Sequence, residues 1–459
     1  MLYPLEQLSD CRVKMSRLFV SVFCAIVLSS LAVAAPANSI AASGTAVSSA
    51  AEPSETVPLA IDDPNYVEWV PDTDANPEPI RGTLGTTIIA QTNIPLEDQN
   101  PDLLAPPTTD SGLIPNVKWP FSLSKNRMQT GGWARQQNIQ VMPIATSMAG
   151  VDMRLEAGAI RELHWHTTAE WAYVLSGAVQ VTSVDTNGQN YLGTANTGDL
   201  WYFPPGIPHS LQATNQTAAG AEFLLVFDNG DFSEDSTFQV TDWMAHVPKE
   251  VIAKNFGISM AAFDHIPAEQ LYIFPGPDPA PDAENLVEDP QGQVPSPFTF
   301  ALSQMAPTQL QGGTVKIADS TIFQVATSIA VAEVTVEPGG MREMHWHPTQ
   351  DEWAYFLSGN ARVTLFASSA TANTYNFQAG DIGFVPASYG HYVENIGNDT
   401  LHYLEIFNTD RYQDISLNQW LALTPPELVK AHLQLSDETI SMLSKTKLTV
   451  VGPPKNSTA

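Results

Sequence analysis

The sequence predicts an all-β chain built of two similar jelly-roll barrels with short helical tails. Three observations predict it. The first is an internal repeat: Gly131-Gly132 matches Gly312-Gly313 and Arg161 matches Arg342 at an offset of 181, while Glu170 matches Glu352 and His209 matches His391 at 182. The second is the texture of each copy. Short runs rich in β-formers, either alternating or wholly apolar, are separated by Gly and Asn clusters such as Asp185-Thr-Asn-Gly188. Many short strands at even spacing read as an antiparallel barrel or jelly roll. The third is a proline-rich stretch from Pro275 to Pro297 that separates the copies, where proline stiffens the chain and removes ladder donors.

Taken in order, residues 1–35 read as a secretory signal. Arg12, Lys14 and Arg17 precede an apolar run from Leu18 to Leu28, and small residues follow through Ala34-Ala35-Pro36. Either Met1 or Met15 serves as the start. Both cysteines, Cys11 and Cys24, lie in this segment, so the mature chain is expected to have no disulfide despite an extracellular, oxidising destination. Residues 36–118 begin as an Ala-, Ser- and Pro-rich segment and continue as an extended arm across the surface or a neighbouring subunit.

The first barrel is placed at 119–274, with strands over 140–146, 171–175, 178–183 and 222–227. The linker spans 275–297. The second barrel with its helical tail occupies 298–445, with strands over 329–336, 353–357, 362–366 and 401–407, and 446–459 is a loose tail. Helices are expected from Pro425 to Leu435, capped by Thr424, and from Asp437 to Ser444, capped by Ser436. Asn215, Asn398 and Asn456 each open an Asn-x-Thr/Ser tripeptide, candidate glycosylation acceptors in a secreted chain.

With 459 residues the chain is long enough for two domains. Its 49 acidic residues against 20 Lys and Arg give a formal charge of −29. That surface repels polyanions, which excludes nucleic acid and anionic lipid as partners, and no membrane association is expected once the signal is removed. An anionic substrate needs local cations in its pocket.

The chemistry sits in two copies of one string, Arg161-Glu-Leu-His164-Trp-His166-Thr-Thr-Ala-Glu170-Trp-Ala-Tyr and Arg342-Glu-Met-His345-Trp-His347-Pro-Thr-Gln-Asp-Glu352-Trp-Ala-Tyr. Histidines at i and i+2 of a strand project from one face, and a carboxylate just past a turn reaches the same point. His209 and His391, each on a distant strand, complete two sets of three imidazoles and one carboxylate. Such mixed ligation leaves one or two positions open on an octahedral ion and suits Mn(II), Fe(II) or, less specifically, zinc.

The spacing Gly158, His164-x-His166, Glu170, Gly177, then Gly198, Pro204-x-Gly206, His209, with its repeat from Gly339 to His391, resembles the two motifs of the cupin superfamily in duplicate, a bicupin fold of two double-stranded β-helix barrels. The resemblance covers roughly residues 119–445, with Ala213 where an Asn is usual and Ser388 in place of a glycine. The narrower string Arg-Glu-Leu-His-Trp-His with Glu-Trp-Ala-Tyr, the segment Gly230-Asp-Phe-Ser233-Glu234-Asp235-Ser236-Thr-Phe and the segment Ser416-Leu-Asn-Gln-Trp resemble the bicupin oxalate decarboxylases of bacteria and fungi, here of a secreted fungal type.

That resemblance implies one Mn(II) per barrel, two per chain, a dependence on dioxygen as co-catalyst, and conversion of oxalate to formate and carbon dioxide. It also implies assembly as trimers or pairs of trimers, turnover mainly at the first site, and Glu234 as the acid on a mobile lid, although Asp235 stands where an Asn is common. Arg161 is expected to anchor the substrate carboxylate. In the second half, Arg342 and Glu405 resemble that domain's Arg–Glu pair. Trp165, Trp171, Trp346 and Trp353 flank the ligands and are expected to serve mainly in core packing. The rival of the same class is oxalate oxidase, yielding hydrogen peroxide. More distant rivals are a storage-type bicupin without activity and a metal dioxygenase acting on a larger aromatic substrate.

Overall fold

The computed structural model describes residues 76–81 and 84–453. The expected signal, both cysteines, most of the Ala/Ser-rich segment and Asn456 lie outside the described residues. No helix among them is long and apolar enough to cross a membrane.

The first sequence copy runs through β1 (Lys118–Pro120), β2 (Gly132–Gln137), β3 (Ala149–Leu155), β4 (Ile160–Trp165), β5 (Glu170–Ser176), β6 (Ala178–Val184), β7 (Asn190–Asn196), β8 (Leu200–Phe203), β9 (His209–Ala213) and β10 (Ala221–Phe227). After the linker come β11 (Thr299–Phe300), β12 (Gly313–Ala318), β13 (Ala330–Val336), β14 (Met341–Trp346), β15 (Glu352–Ser358), β16 (Asn360–Phe366), β17 (Ala372–Gln378), β18 (Asp381–Val385), β19 (Gly390–Asn395) and β20 (Leu401–Phe407). Each barrel is two antiparallel sheets. In the first the orders are β7-β6-β9-β4 and β11-β8-β5-β10-β3-β2; in the second they are β17-β16-β19-β14 and β12-β13-β20-β15-β18-β1.

The wholly apolar strands follow from this layout. In β5, Ala172 and Val174 face the first barrel's interior, while Trp171 and Tyr173 face an apolar layer between the barrels. β10 divides the same way, with Phe223, Leu225 and Phe227 inward and Leu224 and Val226 outward into the shared layer. With both faces buried, residues 171–175 and 223–227 are apolar at both period-2 phases. Trp353 belongs to this shared layer too and donates its indole N–H to Gln137 at 2.7 Å. Trp165 and Trp346 differ: they lie half-buried against Trp243 and Trp420 of the short helices that follow each barrel.

The barrels exchange strands. β1, at the start of the first copy, pairs with β18 of the second barrel, and β11, at the start of the second copy, pairs with β8 of the first. The boundary expected at 119 therefore falls inside a strand of the other barrel. The arm before β1 continues the crossing. Asp102, buried, accepts from Arg362 Nε at 2.6 Å and Asn376 Nδ2 at 2.8 Å, and Asp110 accepts from the Thr374 hydroxyl at 2.7 Å, all on the second barrel. The proline-rich linker runs along the first barrel, where Asp282 accepts from the Thr194 hydroxyl at 2.7 Å and Gln180 Nε2 at 2.8 Å.

Two expected elements differ. Residues 140–146 form turns rather than a strand: the Asn138 carbonyl accepts from Val141 and Met142, and buried Met142 and Ala145 are held by tertiary packing. The helix Pro426–Leu433 has Pro425 at its N-cap, while the Thr424 hydroxyl donates instead to the Trp420 carbonyl. The next helix, Asp437–Met442, is capped by Ser436, whose side chain accepts from Thr439 N–H at 3.1 Å.

Matched polar clusters flank the shared layer. On the second barrel Glu333 is paired with Lys316 at 3.0 Å and with His402 at 2.9 Å. On the first, Asp152 meets Arg135 at 2.8 Å, but Glu222 stands where His402 does. Burial first, and then the Glu222 charge, outweigh Arg135 and push the Asp152 carboxyl up from 3.8 to about 6. Folding thus takes up a proton between those values. The stability this group confers is complete below about pH 4 and is lost as the pH rises through about 6, a loss of about 3 kcal/mol at about 1.4 kcal/mol per unit. Melting temperature is expected to fall across that window, and Asp152→Asn to flatten the fall. Parallel curves for the two proteins would refute the assignment.

Candidate metal centres

His164 and His166 stand at the end of β4, Glu170 opens β5 and His209 opens β9, with His209 directly opposite His164 in the ladder. The second set repeats this on β14, β15 and β19, with His391 opposite His345. In each set one ligand atom from every residue lies within 4.8 Å of the others, and all eight side chains are buried. Ring centroids in the first set are 4.2 Å apart for His164–His209 and 5.1 Å for His166–His209; in the second, His345 and His391 are 4.1 Å apart.

Backbone carbonyls fix the tautomers. Nδ1 of His164, His166 and His209 meets the carbonyls of Glu162, Thr168 and Ile207 at 2.6, 2.7 and 2.8 Å. In the second set the carbonyls of Glu343, Gln413 and Tyr389 do the same at 2.7, 2.8 and 3.0 Å. A carbonyl only accepts, so Nδ1 carries the proton and each Nε2 turns a lone pair inward. Glu170 Oε2 lies 3.1 Å from His166 Nε2 and 3.3 Å from His209 Nε2, Glu352 Oε2 lies 3.1 Å from Nε2 of His347 and of His391, and His345 Nε2 has no hydrogen-bond partner among the described residues. Converging lone pairs and a carboxylate, out of water and without a proton between them, repel unless a cation sits among them. The donor set therefore fits a divalent metal ion.

Electrostatics favour the same state. Burial, the Arg161 charge and His209 hold His164 well below the usual imidazole range, so it stays neutral. Burial opposes the Glu170 charge, and what holds its carboxyl well below its ordinary value is positive charge on His209 and His166, a role that a metal ion takes over when both imidazoles are neutral. Trp201 Nε1 donates to its Oε1 at 2.9 Å and fixes the carboxylate plane.

A bulge brings the arginines in. Residues i and i+3 of a regular strand face opposite ways. In β4, however, the step from Arg161 to His164 spans three residues against two on β9, from Leu211 to His209. The extra residue turns Arg161 and His164 to one face and leaves Leu163 exposed; β14 repeats the bulge between Arg342 and His345, with Met344 exposed.

Here the two sites part. Arg161 is buried, yet its Nε has no partner among the described residues; NH2 donates to Glu234 Oε2 at 3.1 Å, and NH1 reaches Gln239 Oε1 and the Tyr272 carbonyl at 3.4 Å each. Arg342 is saturated. Its Nε donates to Glu405 at 3.2 Å, its NH2 to Asp414 and the Tyr412 hydroxyl at 2.8 Å each, and its NH1 to the Thr449 carbonyl at 3.3 Å. Glu405 also accepts from the Tyr403 hydroxyl at 2.9 Å, and its other oxygen is buried without a partner. In β10 the residue matching Glu405 is Leu225, so the first site has no carboxylate at that position.

A carboxylate reaches the first site from the segment after β10, Glu234, expected from the sequence to lie on a lid. Phe232 stacks on Phe227 with centroids 3.5 Å apart, and Gln136 Oε1 accepts from the Glu234 N–H at 3.0 Å. These contacts turn Glu234 inward, buried, where Oε2 also accepts from the Tyr272 hydroxyl at 2.9 Å. Glu162 supports this arrangement: its buried carboxylate accepts from Thr241, Leu271 and Tyr272 N–H, which ties the following helix and the Tyr272 segment to the ligand strand.

The structure thus gathers His164, His166, Glu170 and His209 with Arg161 and Glu234, and separately His345, His347, Glu352 and His391 with Arg342 and Glu405. Sequence reasoning missed Tyr272, Asp414, Tyr412 and Trp201. A buried second arginine requires counter-charge beyond one glutamate, but no spacing in the sequence singled out Asp414 to supply it.

Comparisons with known proteins follow the geometry. The cupin family model matches residues 124–262 and 300–441. An oxalate decarboxylase of Bacillus subtilis is 53% identical over 375 residues, 82% of this chain and 97% of the relative. A probable oxalate decarboxylase of Arthroderma benhamiae is 43% identical over 374 residues, covering 80% and 91%. A solved structure of the Bacillus subtilis enzyme, described for its Mn(II) centres, superposes with a TM-score of 0.81 at 52% identity, covering 83% of this chain and 100% of that one.

Proposed function

This chain belongs to the cupin family and, within it, to the two-barrel oxalate decarboxylases, and from that premise we propose how its residues divide the work. It is an oxalate decarboxylase that converts oxalate to formate and carbon dioxide, with one Mn(II) in each barrel.

The observation that carries the mechanism is the contrast between the arginines. Turnover belongs to the first barrel because Arg161 pairs with Glu234 alone and keeps a buried Nε–H without a partner among the described residues for a substrate carboxylate, whereas Arg342 is held by both Glu405 and Asp414. His164, His166, Glu170 and His209 hold the metal, which supplies a Lewis-acidic anchor for one oxalate carboxylate and, with dioxygen as co-catalyst, access to one-electron chemistry. Arg161 orients the other carboxylate. Glu234 takes the proton of the entering oxalate monoanion and, once carbon dioxide has left, returns it to the remaining carbon as formate. Atoms and charge balance: hydrogen oxalate becomes formate and carbon dioxide, with no net electron or proton change. The closed lid excludes water and keeps that carbon from a second oxidation. Arg342, Glu405 and the second metal set serve a supporting role.

The finer organisation rests on the sequence. The chain is proposed to be secreted after loss of residues 1–35, with barrels at 119–274 and 298–445, glycosylated at Asn215, Asn398 and Asn456, and assembled as trimers or hexamers. Nucleic acid and membranes are not partners of so acidic a chain.

The deciding experiment is metal analysis of purified protein beside a product assay on oxalate at acidic pH. Formate and carbon dioxide in equal amounts, with two manganese ions per chain, is the expected result. Hydrogen peroxide without formate would make it an oxalate oxidase.

A further inference from the structure

Outside the lid lies a cavity of about 720 Å³ that none of the metal ligands lines. Glu234 and Tyr272 form its inner wall, Asp235 its rim, and Lys125, Arg127 and Arg135 bring three cations to one small region of a chain whose net charge is −29. Arg135 is neutralised by Asp152 at 2.8 Å. Lys125 makes no ion pair among the described residues. Arg127 has Asp235 alone, at 3.4 Å, and that carboxylate is 86% exposed. So loose and solvated a pair holds weakly.

Arg127 is nonetheless fixed in place. Its guanidinium carbon sits 3.6 Å from the centroid of the Tyr272 ring, and Arg161 sits 4.3 Å from the same centroid. Two guanidinium groups cannot share one ring face at those distances, so Tyr272 is a partition with a cation on each side. Stacking holds the guanidinium plane and leaves its N–H edges free for a planar carboxylate. The partition also holds the acid, since the Tyr272 hydroxyl donates to Glu234 at 2.9 Å.

We propose that this cavity is a docking site for the incoming dicarboxylate, and that Arg127 captures the anion by displacing Asp235, which unlatches the lid at the residue next to Glu234. The proposal rests on the reading of the chain as an enzyme acting on oxalate. A carboxylate offering both oxygens to a fixed guanidinium outcompetes a single 3.4 Å contact from a solvated side chain. The anion then waits one phenol ring away from Arg161, and passage inward requires the lid segment to swing. Once the anion has passed, Asp235 regains Arg127 and the lid closes behind it.

Steady-state kinetics on oxalate with the metal-loaded protein test this. Arg127→Gln is expected to raise KM about tenfold while kcat falls less than threefold, Arg127→Lys to give an intermediate KM, and the dependence of KM on ionic strength to weaken in Arg127→Gln. Asp235→Asn frees the capture site, so KM should fall about two- to threefold in the parent, with no effect in the Arg127→Gln background. A role for Arg127 in packing alone would not produce that coupling. A KM for Arg127→Gln within twofold of the parent, or a loss confined to kcat, overturns the proposal. If Arg127→Gln melts far below the parent, Arg127→Lys and Asp235→Asn carry the same test. Should the parent yield peroxide instead of formate, the decarboxylase reading fails while this test stands, because oxalate consumption reports KM in either case.

Discussion

Glu234→Ala is expected to abolish formate production while oxalate is still consumed. Among the described residues Glu234 is the one carboxyl paired with Arg161, and its Oε2 is shared by the Arg161 guanidinium and the Tyr272 hydroxyl. Truncation removes the proton returned to carbon, a step for which a placed acid contributes about 10²- to 10⁴-fold. A fall in formate yield of at least about 100-fold follows, with electrons diverted to dioxygen and peroxide appearing instead. The fold should survive, because the lid is held by the stacked Phe232 and by the backbone N–H of Glu234 on Gln136, neither of which needs the carboxyl. Glu234→Gln separates proton from shape: the amide still accepts from Tyr272 but has no acidic proton to give. Quantifying formate and peroxide side by side reads the result, and an unaltered formate yield in either variant would remove Glu234 from the mechanism.

His209→Ala should lower manganese from two ions per chain to one and cut oxalate turnover by about 10³-fold or more, equivalent to about 4 kcal/mol of lost activation by the metal. His209 is fully buried, stacks on Phe203 at 4.2 Å and lies 3.3 Å from Glu170. No neighbour can replace its lone pair. His391→Ala should also leave one manganese per chain, but with much of the turnover retained, because the second-site arginine is already satisfied by acids. Metal content and rates measured on both variants check the asymmetry. Equal losses of rate would dissolve the distinction between the sites.

What was legible in the sequence was whatever local periodicity encodes. His164 and His166 share a face because strand side chains alternate, and the repeat of His209 as His391 at fixed spacing marked the fourth ligand. The apolar runs marked strands buried on both faces. The bulge that turns Arg161 toward His164 was not legible, since it depends on how β9 registers with β4. The capture of Arg342 by Asp414, 72 residues away, depends on a loop whose course no pattern announces. Residues 140–146 read as a strand because they are apolar, yet they pack as turns beneath the neighbouring barrel, where tertiary burial overrides propensity. Two- and three-residue strands such as β11 and β1 carry no periodic signal at all.

Those two minor strands have a lasting consequence. Each lobe finishes a sheet with backbone borrowed from the other copy's leading segment. A gene split at the linker would yield two fragments, each with a raw ladder edge and a displaced flap, prone to stick to its own kind. Neither lobe is therefore expected to fold, or to serve in another protein, without the leading strand that the other copy supplies.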